Sequence, residues 1–415
     1  MVFIGGSIMR FLMFIKLFRM IFNKKKLPDL DYIQKKGLLA VKIAQTFALR
    51  IDFLSEKTCS HLAELYTRTT PIDEENFQLL LKSYTNDEWF SHFQMIEEKP
   101  LGSASVGQVH LAKLNDGSKV VIKVIKKNFK KSFEKDVRAL RRLIKFVIFF
   151  YPKLSKVADP VGILEHIEEY TLAELDLRNE IHHGKILKDI YIKNKDHFDL
   201  SRLKFPKIYE ELSNENVLVS EYIEGPTADE LLESKKMPFQ DILEIFHIHG
   251  FYIFLIGTFH GDLHPGNLIV KDQDYYFIDT GAISRVGSKI QAGLFEFMMY
   301  LSEYNYDGCA HALNHMADKE IHGKAFDVYH QKMLELYQDF AGKTVSEVSL
   351  TRKMMETIKL GVNSGMVFEK GMFPIIKSMM YLDGMVLKGA PDTVLMEEMR
   401  RFIKEFKEAD AILRR

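Results

Sequence analysis

Apolar positions change their spacing several times along this chain, and each change marks a different kind of segment. Over residues 28–90 they recur at the three- and four-residue intervals of amphipathic helices, with mixed charge between them and Pro71 as an interruption. From Lys99 the pattern shortens. Pro100–Val109 is rich in small residues, and Val120–Ile125 (VVIKVI) is a β-branched run entered through the turn signal Asn115–Gly117. Strand, turn and strand is the economical reading. Helical spacing returns over 130–195, and short strands are predicted around 203–209 and 217–221. Pro226 marks a linker. Residues 237–260 read as helix, followed by short apolar runs at Asn267–Val270 and Tyr275–Ile278 with Lys271–Asp274 between them. Everything after residue 288 reads as helix. The pattern predicts an α+β fold with a small β-rich lobe, a hinge and a larger, mostly helical lobe.

Three apolar stretches raise the question of a membrane. Residues 1–26 (MVFIGGSIMRFLMFIKLFRMIFNKKK) are broken by Arg10, Lys16 and Arg19, end in Lys24–Lys26 and contain no acid. A spanning helix needs about 20 mostly uncharged apolar residues, and no clean run ends in a cleavage signal. Spanning and secretion are therefore not expected. Two readings remain: an interfacial helix whose cations snorkel from an apolar face, or a helix that buries its Phe and Ile side chains on its own protein. Residues 243–259, with Glu244, His247 and His249, and residues 143–151, too short to span, both read as buried core helices. Residues 394–415 alternate like a surface helix.

Composition sharpens this only a little. The 415 residues suit two or three domains. Lys plus Arg equals Asp plus Glu at 57 each, which excludes a globally basic nucleic-acid coat or an acidic tail. Six cations fall within residues 1–26, so local attraction to an anionic surface survives the neutral total. Cys59 and Cys309 are too few and too distant for a disulfide framework or a cysteine zinc site, which points to a reducing, cytoplasmic compartment.

Three clusters offer chemistry. Gly102-Ser103-Ala104-Ser105-Val106-Gly107 fits a phosphate-covering loop with Ala in the middle glycine position, because small residues let backbone N–H groups approach phosphate oxygens. An ordinary tight turn gives the same letters. Lys123 lies inside a β-branched strand, where an ammonium needs a partner, and from which it can reach phosphates; an edge-strand lysine in solvent is the plain alternative. Third is His260-Gly261-Asp262-Leu263-His264-Pro265-Gly266-Asn267, followed by Asp279-Thr280-Gly281. Its Asp-to-Asn interval is that of the protein-kinase catalytic loop, with a further Asp beyond a short hairpin. Asn267 and Asp279 would offer hard oxygen ligands to Mg²⁺, and Asp262 a carboxylate for the nucleophile's proton. His-x-Asp-x-His also reads as a transition-metal site, but Pro265, Gly266 and the hairpin leading to Asp279 favour the kinase-like reading.

With Lys42-Ile43-Ala44-Gln45 ahead of the loop and Glu174-Leu175-Asp176 to Glu180 after the lysine strand, the chain resembles the ABC1/ADCK/UbiB (AarF) family of atypical protein-kinase-like proteins from about residue 35 to 290. The resemblance implies a two-lobed kinase-like fold with a helical N-terminal extension. Its boundaries are an apolar, basic segment 1–27, a helical extension 28–92 carrying the signature, an N-lobe 93–224 and a C-lobe 225–415. It implies ATP or ADP with Mg²⁺ as cofactors. Lys42 and Gln45 then match the K-x-G-Q signature that folds over the nucleotide site, Glu174 and Asp176 its acidic companion, and Ala104 the alanine that alters nucleotide preference. Lys123 and Glu180 match the phosphate lysine and its helix glutamate. Glu221, Tyr222 and Ile223 match the adenine-holding hinge, Asp262 the catalytic carboxylate, and Asn267 and Asp279 the metal ligands.

Two positions depart from the pattern: Ala44 stands in place of glycine, and Thr280 in place of the phenylalanine of Asp-Phe-Gly. The resemblance further implies an ATPase or kinase supporting ubiquinone or related isoprenoid-lipid biosynthesis, peripheral on the inner membrane face, with lipid or quinone-biosynthesis proteins as partners and no nucleic acid. A small-molecule phosphotransferase of the aminoglycoside or choline kinase type shares the H-G-D-x-H-x-x-N loop but lacks the Lys42–Gln45 and Glu174–Glu180 signatures. A nucleotide-gated pseudokinase scaffold would keep the ligand residues and transfer nothing.

Overall fold

The computed structural model describes residues 2–48, 54–66, 71–126, 129–151, 160–368 and 372–413. The chain divides into two compact units: Met1–Ile181 with Lys207–Tyr222, and His182–Pro206 with Ile223–Arg415.

In the first unit an antiparallel sheet runs in the order β1 (Phe93–Ser103), β2 (Gly107–Leu114), β3 (Lys119–Ile125), then Val217–Glu221. Alternation along β3 sends Val120, Ile122 and Val124 to a fully buried face, where they meet Phe77, Leu81, Ala112, Val217 and Val219. Each such side chain contributes about 1.5–3 kcal/mol by leaving water, so register is firmly set and Lys123 must take the opposite face. The strand reading of 120–125 therefore holds, while β1 starts at Phe93, earlier than the change of pattern at Lys99 suggested. Only Leu203–Lys204 of the stretch 203–209 is a strand (β4); Ile208 makes an isolated bridge to Ser220 of Val217–Glu221 (β5).

A second core of this unit is helical. Helices Val2–Ile21, Leu38–Ala48, Lys130–Phe150 and Pro160–Glu174 pack around Phe14, Leu17, Ile43, Ala44, Phe133, Val137 and Leu164. The N-terminal helix thus buries one face on its own protein. Its Arg10 pairs with Asp136 at 2.9 Å, while Met9 and Leu12 stay exposed. Ala44 is fully buried within helix Leu38–Ala48, where its methyl is part of the packing. The end of helix Lys130–Phe150 corrects the sequence reading: Phe146, Phe149, Phe150 and Tyr151 are exposed, not core. A run of apolar residues sets the composition of a helix end, but only its neighbours decide burial.

The second unit is built on helix Phe239–Gly250, which continues as a π-helical turn over Phe251–Ile256. From Ile245 to Leu255 it is buried all round, which accounts for the mostly apolar sequence there. Gly257 ends it at φ +71°, a left-handed conformation suited to glycine. The three-residue strand β6 (Thr258–His260) follows, where helix was expected through residue 260. Two short strands, β7 (Leu268–Lys271) and β8 (Asp274–Phe277), form a hairpin closed by Asp272 and Gln273, both at positive φ. Strand β9 (Ile283–Arg285) pairs antiparallel with β6. The hairpin and the β6–β9 pair hold the segment 260–281 from both ends. Six helices complete the unit: Ser288–Ser302, Tyr306–Met316, Lys324–Tyr337, Leu350–Asn363, Met372–Gly389 and Leu395–Leu413.

Candidate active site

The first unit collects the glycine loop, the strand lysine and the two acidic signatures. The loop is the tip of the β1–β2 hairpin: the Ala104 amide donates to the Gly107 carbonyl at 2.8 Å, and Ala104 is exposed. Ser105 and Ser103 are half-buried, and Gly102 is exposed with open space around it. Gly107 lies close against β3, where a Cβ would stand 3.3 Å from the Val124 carbonyl. Opposite this edge, the Lys123 ammonium donates to Glu180 Oε2 at 2.7 Å. Glu180 sits in the first turn of helix Arg178–Asn194 and is buried, so its charge needs this cation.

Lys42 pairs with Glu174, and its ammonium also lies over the Tyr170 ring. Gln45 is buried and donates through Nε2 to the Leu65 carbonyl at 2.9 Å. Asp176 does not join the Lys42–Glu174 pair. It accepts from the Arg178 guanidinium at 2.9 and 2.7 Å, and those bonds hold its carboxyl below the usual range. Glu221 ends β5 and accepts from the Lys207 amide at 3.1 Å, the Tyr222 amide donates to the Lys119 carbonyl, and Ile223, buried, opens the second unit.

The second unit collects the catalytic loop. β6 ends at His260, the 3₁₀ turn Pro265–Asn267 closes the loop, and the hairpin returns the chain to Asp279. The Asn267 side-chain amide donates to the Asp262 carbonyl at 3.1 Å, which turns its own oxygen the other way. The Gly281 amide donates to Asp279 Oδ1 at 2.9 Å and fixes that carboxylate. An amide oxygen and a carboxylate are the hard donors that Mg²⁺ takes, so these residues fit the Mg²⁺ expected from the motif.

His260 rules out the transition-metal reading of His-x-Asp-x-His. Its Nε2 donates to the Asp279 carbonyl at 2.5 Å and its Nδ1 accepts from the Asp262 amide at 3.1 Å, so both ring nitrogens are occupied within the fold. His264 Nδ1 accepts from the Gly266 amide. Among the described residues no group of three or more His, Cys, Asp or Glu is arranged to hold a metal.

Sequence reasoning missed two residues. Lys377 and Tyr381, on helix Met372–Gly389, both reach Asp262 Oδ1, at 2.7 and 2.9 Å. Burial pushes the Asp262 carboxyl up, yet Lys377, His264 and the bonds from Lys377 and Tyr381 outweigh it and hold the group well below the usual carboxylate range. An ionised, doubly bonded carboxylate is a weak base and a good orienting acceptor. The available signal was a single lysine inside the apolar run 375–386, the same signal that exposed Lys123.

Comparisons with known proteins agree with this geometry. The profile of the ABC1 atypical kinase-like domain matches residues 64–313, more than half the chain. Probable protein kinase UbiB of Glaesserella parasuis is 25% identical over 400 residues, covering 90% of this chain and 69% of its own. UbiB of Vibrio vulnificus is 25% identical over 395 residues with the same coverage, and an uncharacterised protein from the hydrogenase 1 5′ region of Clostridium pasteurianum is 23% identical over 389 residues, 92% of this chain and 71% of its own. Among solved structures, Rv3197 of Mycobacterium tuberculosis in its erythromycin complex matches with a TM-score of 0.52 and 19% identity, over 84% of this chain and 91% of that one. That likeness shows a kinase-like α+β fold.

Proposed function

Because the chain belongs to the ABC1 atypical kinase-like family, we propose that it binds a Mg-nucleotide and turns it over as an atypical kinase or ATPase. The observation that supports this most is the Lys123–Glu180 ion pair, formed on β3, which pairs with the strand leaving the small-residue hairpin tip. Lys123 would meet nucleotide phosphates, and the amides of Gly102–Gly107 would approach them without side chains in the way. Asn267 and Asp279 would hold Mg²⁺, which neutralises developing phosphate charge when bound. Asp262 would orient the attacking hydroxyl or water. Glu221, Tyr222 and Ile223 would line the base.

The finer role is support of ubiquinone or related isoprenoid-lipid biosynthesis at a membrane surface. It rests on the naming of the UbiB relatives and on apolar side chains left exposed in the first unit. The test is nucleotide turnover by purified protein with Mg²⁺, with and without anionic liposomes. Turnover that Asp279→Asn abolishes is the expected result. A parent that neither binds nor hydrolyses ATP or ADP refutes the proposal. Phosphorylation of a small alcohol in an acceptor screen would move the reading to the aminoglycoside and choline kinase type.

A further inference from the structure

We infer that Lys377, with Tyr381 one helical turn beyond it, is a positioning residue that fixes the Asp262 carboxylate for its work on the nucleophile. The inference deepens the kinase-like reading and rests on it. Both residues lie on helix Met372–Gly389, beyond the stretch 64–313 that carries the family match. Their four-residue spacing puts them on one face of that helix. Lys377 Nζ stands 2.7 Å from Asp262 Oδ1, and the Tyr381 hydroxyl donates to the same oxygen at 2.9 Å. Two donors converging on one oxygen, one of them charged, hold that oxygen more firmly than either would alone.

The cluster is closed around this oxygen. The Lys377 ammonium lies 5.7 Å from the Tyr381 ring centroid, and the His264 ring meets Tyr381 edge-on at 5.9 Å. Side-chain exposure of Lys377 is 11% and of Asp262 18%, so water screens the pair weakly. The backbone adds a third point: Asn267 bonds the Asp262 carbonyl. Loop and helix thus hold Asp262 at its backbone carbonyl and at one carboxylate oxygen. A catalytic group must keep its geometry to a fraction of an ångström to be effective, and this helix supplies that constraint from outside the loop.

The experiment has two arms on full-length protein. In the first, Mg-ATP and Mg-ADP turnover is measured for the parent, Lys377→Met, Lys377→Arg and Tyr381→Phe. Lys377→Met should lower kcat about 30-fold or more with KM changed by less than about threefold, and Lys377→Arg should recover to within about tenfold of the parent. Tyr381→Phe should lose a few-fold. A Lys377→Met kcat within about threefold of the parent overturns the role.

In the second arm, acetic anhydride labels lysines in the parent and in Asp262→Asn, read by peptide mass spectrometry. Lys377 should label about tenfold faster in the variant while exposed Lys388 does not change. Unchanged Lys377 labelling overturns the pair itself. A parent without turnover whose Lys377 still responds overturns the catalytic role through failure of the nucleotide reading, which the labelling separates from failure of the pair.

Discussion

Gly184 and Thr280 meet face to face: a Cβ built on Gly184 would stand 2.9 Å from the Thr280 hydroxyl oxygen. Thr280 is buried, in the position where kinases of the Asp-Phe-Gly type carry phenylalanine. The departure from the motif is therefore matched by a glycine on the helix opposite, where any side chain would press on the Thr280 hydroxyl. Thr280→Phe should destabilise the protein by about 1–3 kcal/mol through overpacking, read as a lower urea midpoint. A variant as stable as the parent would show that the contact is loose.

Lys123 and Glu180 separate folding from chemistry. Lys123→Met leaves the buried Glu180 charge without its 2.7 Å partner, a cost of about 1–3 kcal/mol because Lys123 itself is only half-buried. Adding Glu180→Met should restore much of that stability. Turnover should stay down about a hundredfold or more in both variants, since neither has the phosphate cation. Denaturation and turnover assays on the same two proteins check it; recovered turnover in the double variant would end the role assigned to Lys123.

Lys123 was legible from sequence because an ammonium inside VVIKVI demands a partner, whatever the fold. Its partner Glu180 was legible only through family resemblance, since nothing in helix Arg178–Asn194 marks that glutamate above its neighbours. Tyr381 was not legible at all. Periodicity reports which face of a helix is apolar, and says nothing of a contact with a loop 119 residues away. The same reason hid β6: three residues at the end of a long apolar run become a strand only because Ile283–Arg285 lies beside them. The aromatic end of helix Lys130–Phe150 failed in the opposite sense, reading as core where no neighbour covers it among the described residues.

His249 makes stability depend on pH. Neither ring nitrogen has a hydrogen-bond partner among the described residues, and full burial pushes its pKa down to about 3. A histidine depressed in the folded state is bound by protons more readily when unfolded, so its contribution is intact above pH 6.5 and is lost as pH falls toward 3. The loss should be on the order of 2 kcal/mol at pH 5. His249→Phe should flatten the stability profile between pH 6.5 and 5, measured by urea melts at each pH. An equally steep profile in the variant would assign the acid sensitivity to other groups.

Ala104 holds the exposed tip of the β1–β2 hairpin, with its amide bonded to the Gly107 carbonyl. Ala104→Gly frees that backbone by about 0.5–1 kcal/mol of conformational entropy, enough to shift the ratio of ATP to ADP affinity a few-fold. Calorimetric titration of both nucleotides with Mg²⁺ checks it. Equal ratios before and after would remove this loop from nucleotide choice.

The exposed end of helix Lys130–Phe150 carries the membrane expectation more directly than the N-terminal helix does. Phe149 is 78% exposed and Tyr151 70%, with Phe146 and Phe150 beside them. From Val137 to Tyr151 the chain holds four cations, Arg138, Arg141, Arg142 and Lys145, and no acid. Arg138 and Arg141 are engaged with Glu134 and Glu168, whereas Arg142 and Lys145 are exposed and make no ion pair among the described residues. Aromatic rings flanked by unpaired cations suit an anionic bilayer, where rings enter the headgroup boundary and each cation adds about 1 kcal/mol near the surface. Phe149→Ser with Phe150→Ser should therefore weaken sedimentation with anionic vesicles about tenfold or more and leave the melting temperature unchanged, because neither ring is in the core. Binding should also fall with added salt. The N-terminal helix gives the contrast: its Phe14, Leu17 and Ile21 are buried on the protein, so Phe14→Ser should lower stability rather than act on vesicle binding alone. Undiminished vesicle binding by the double serine variant would exclude this helix end as the lipid contact.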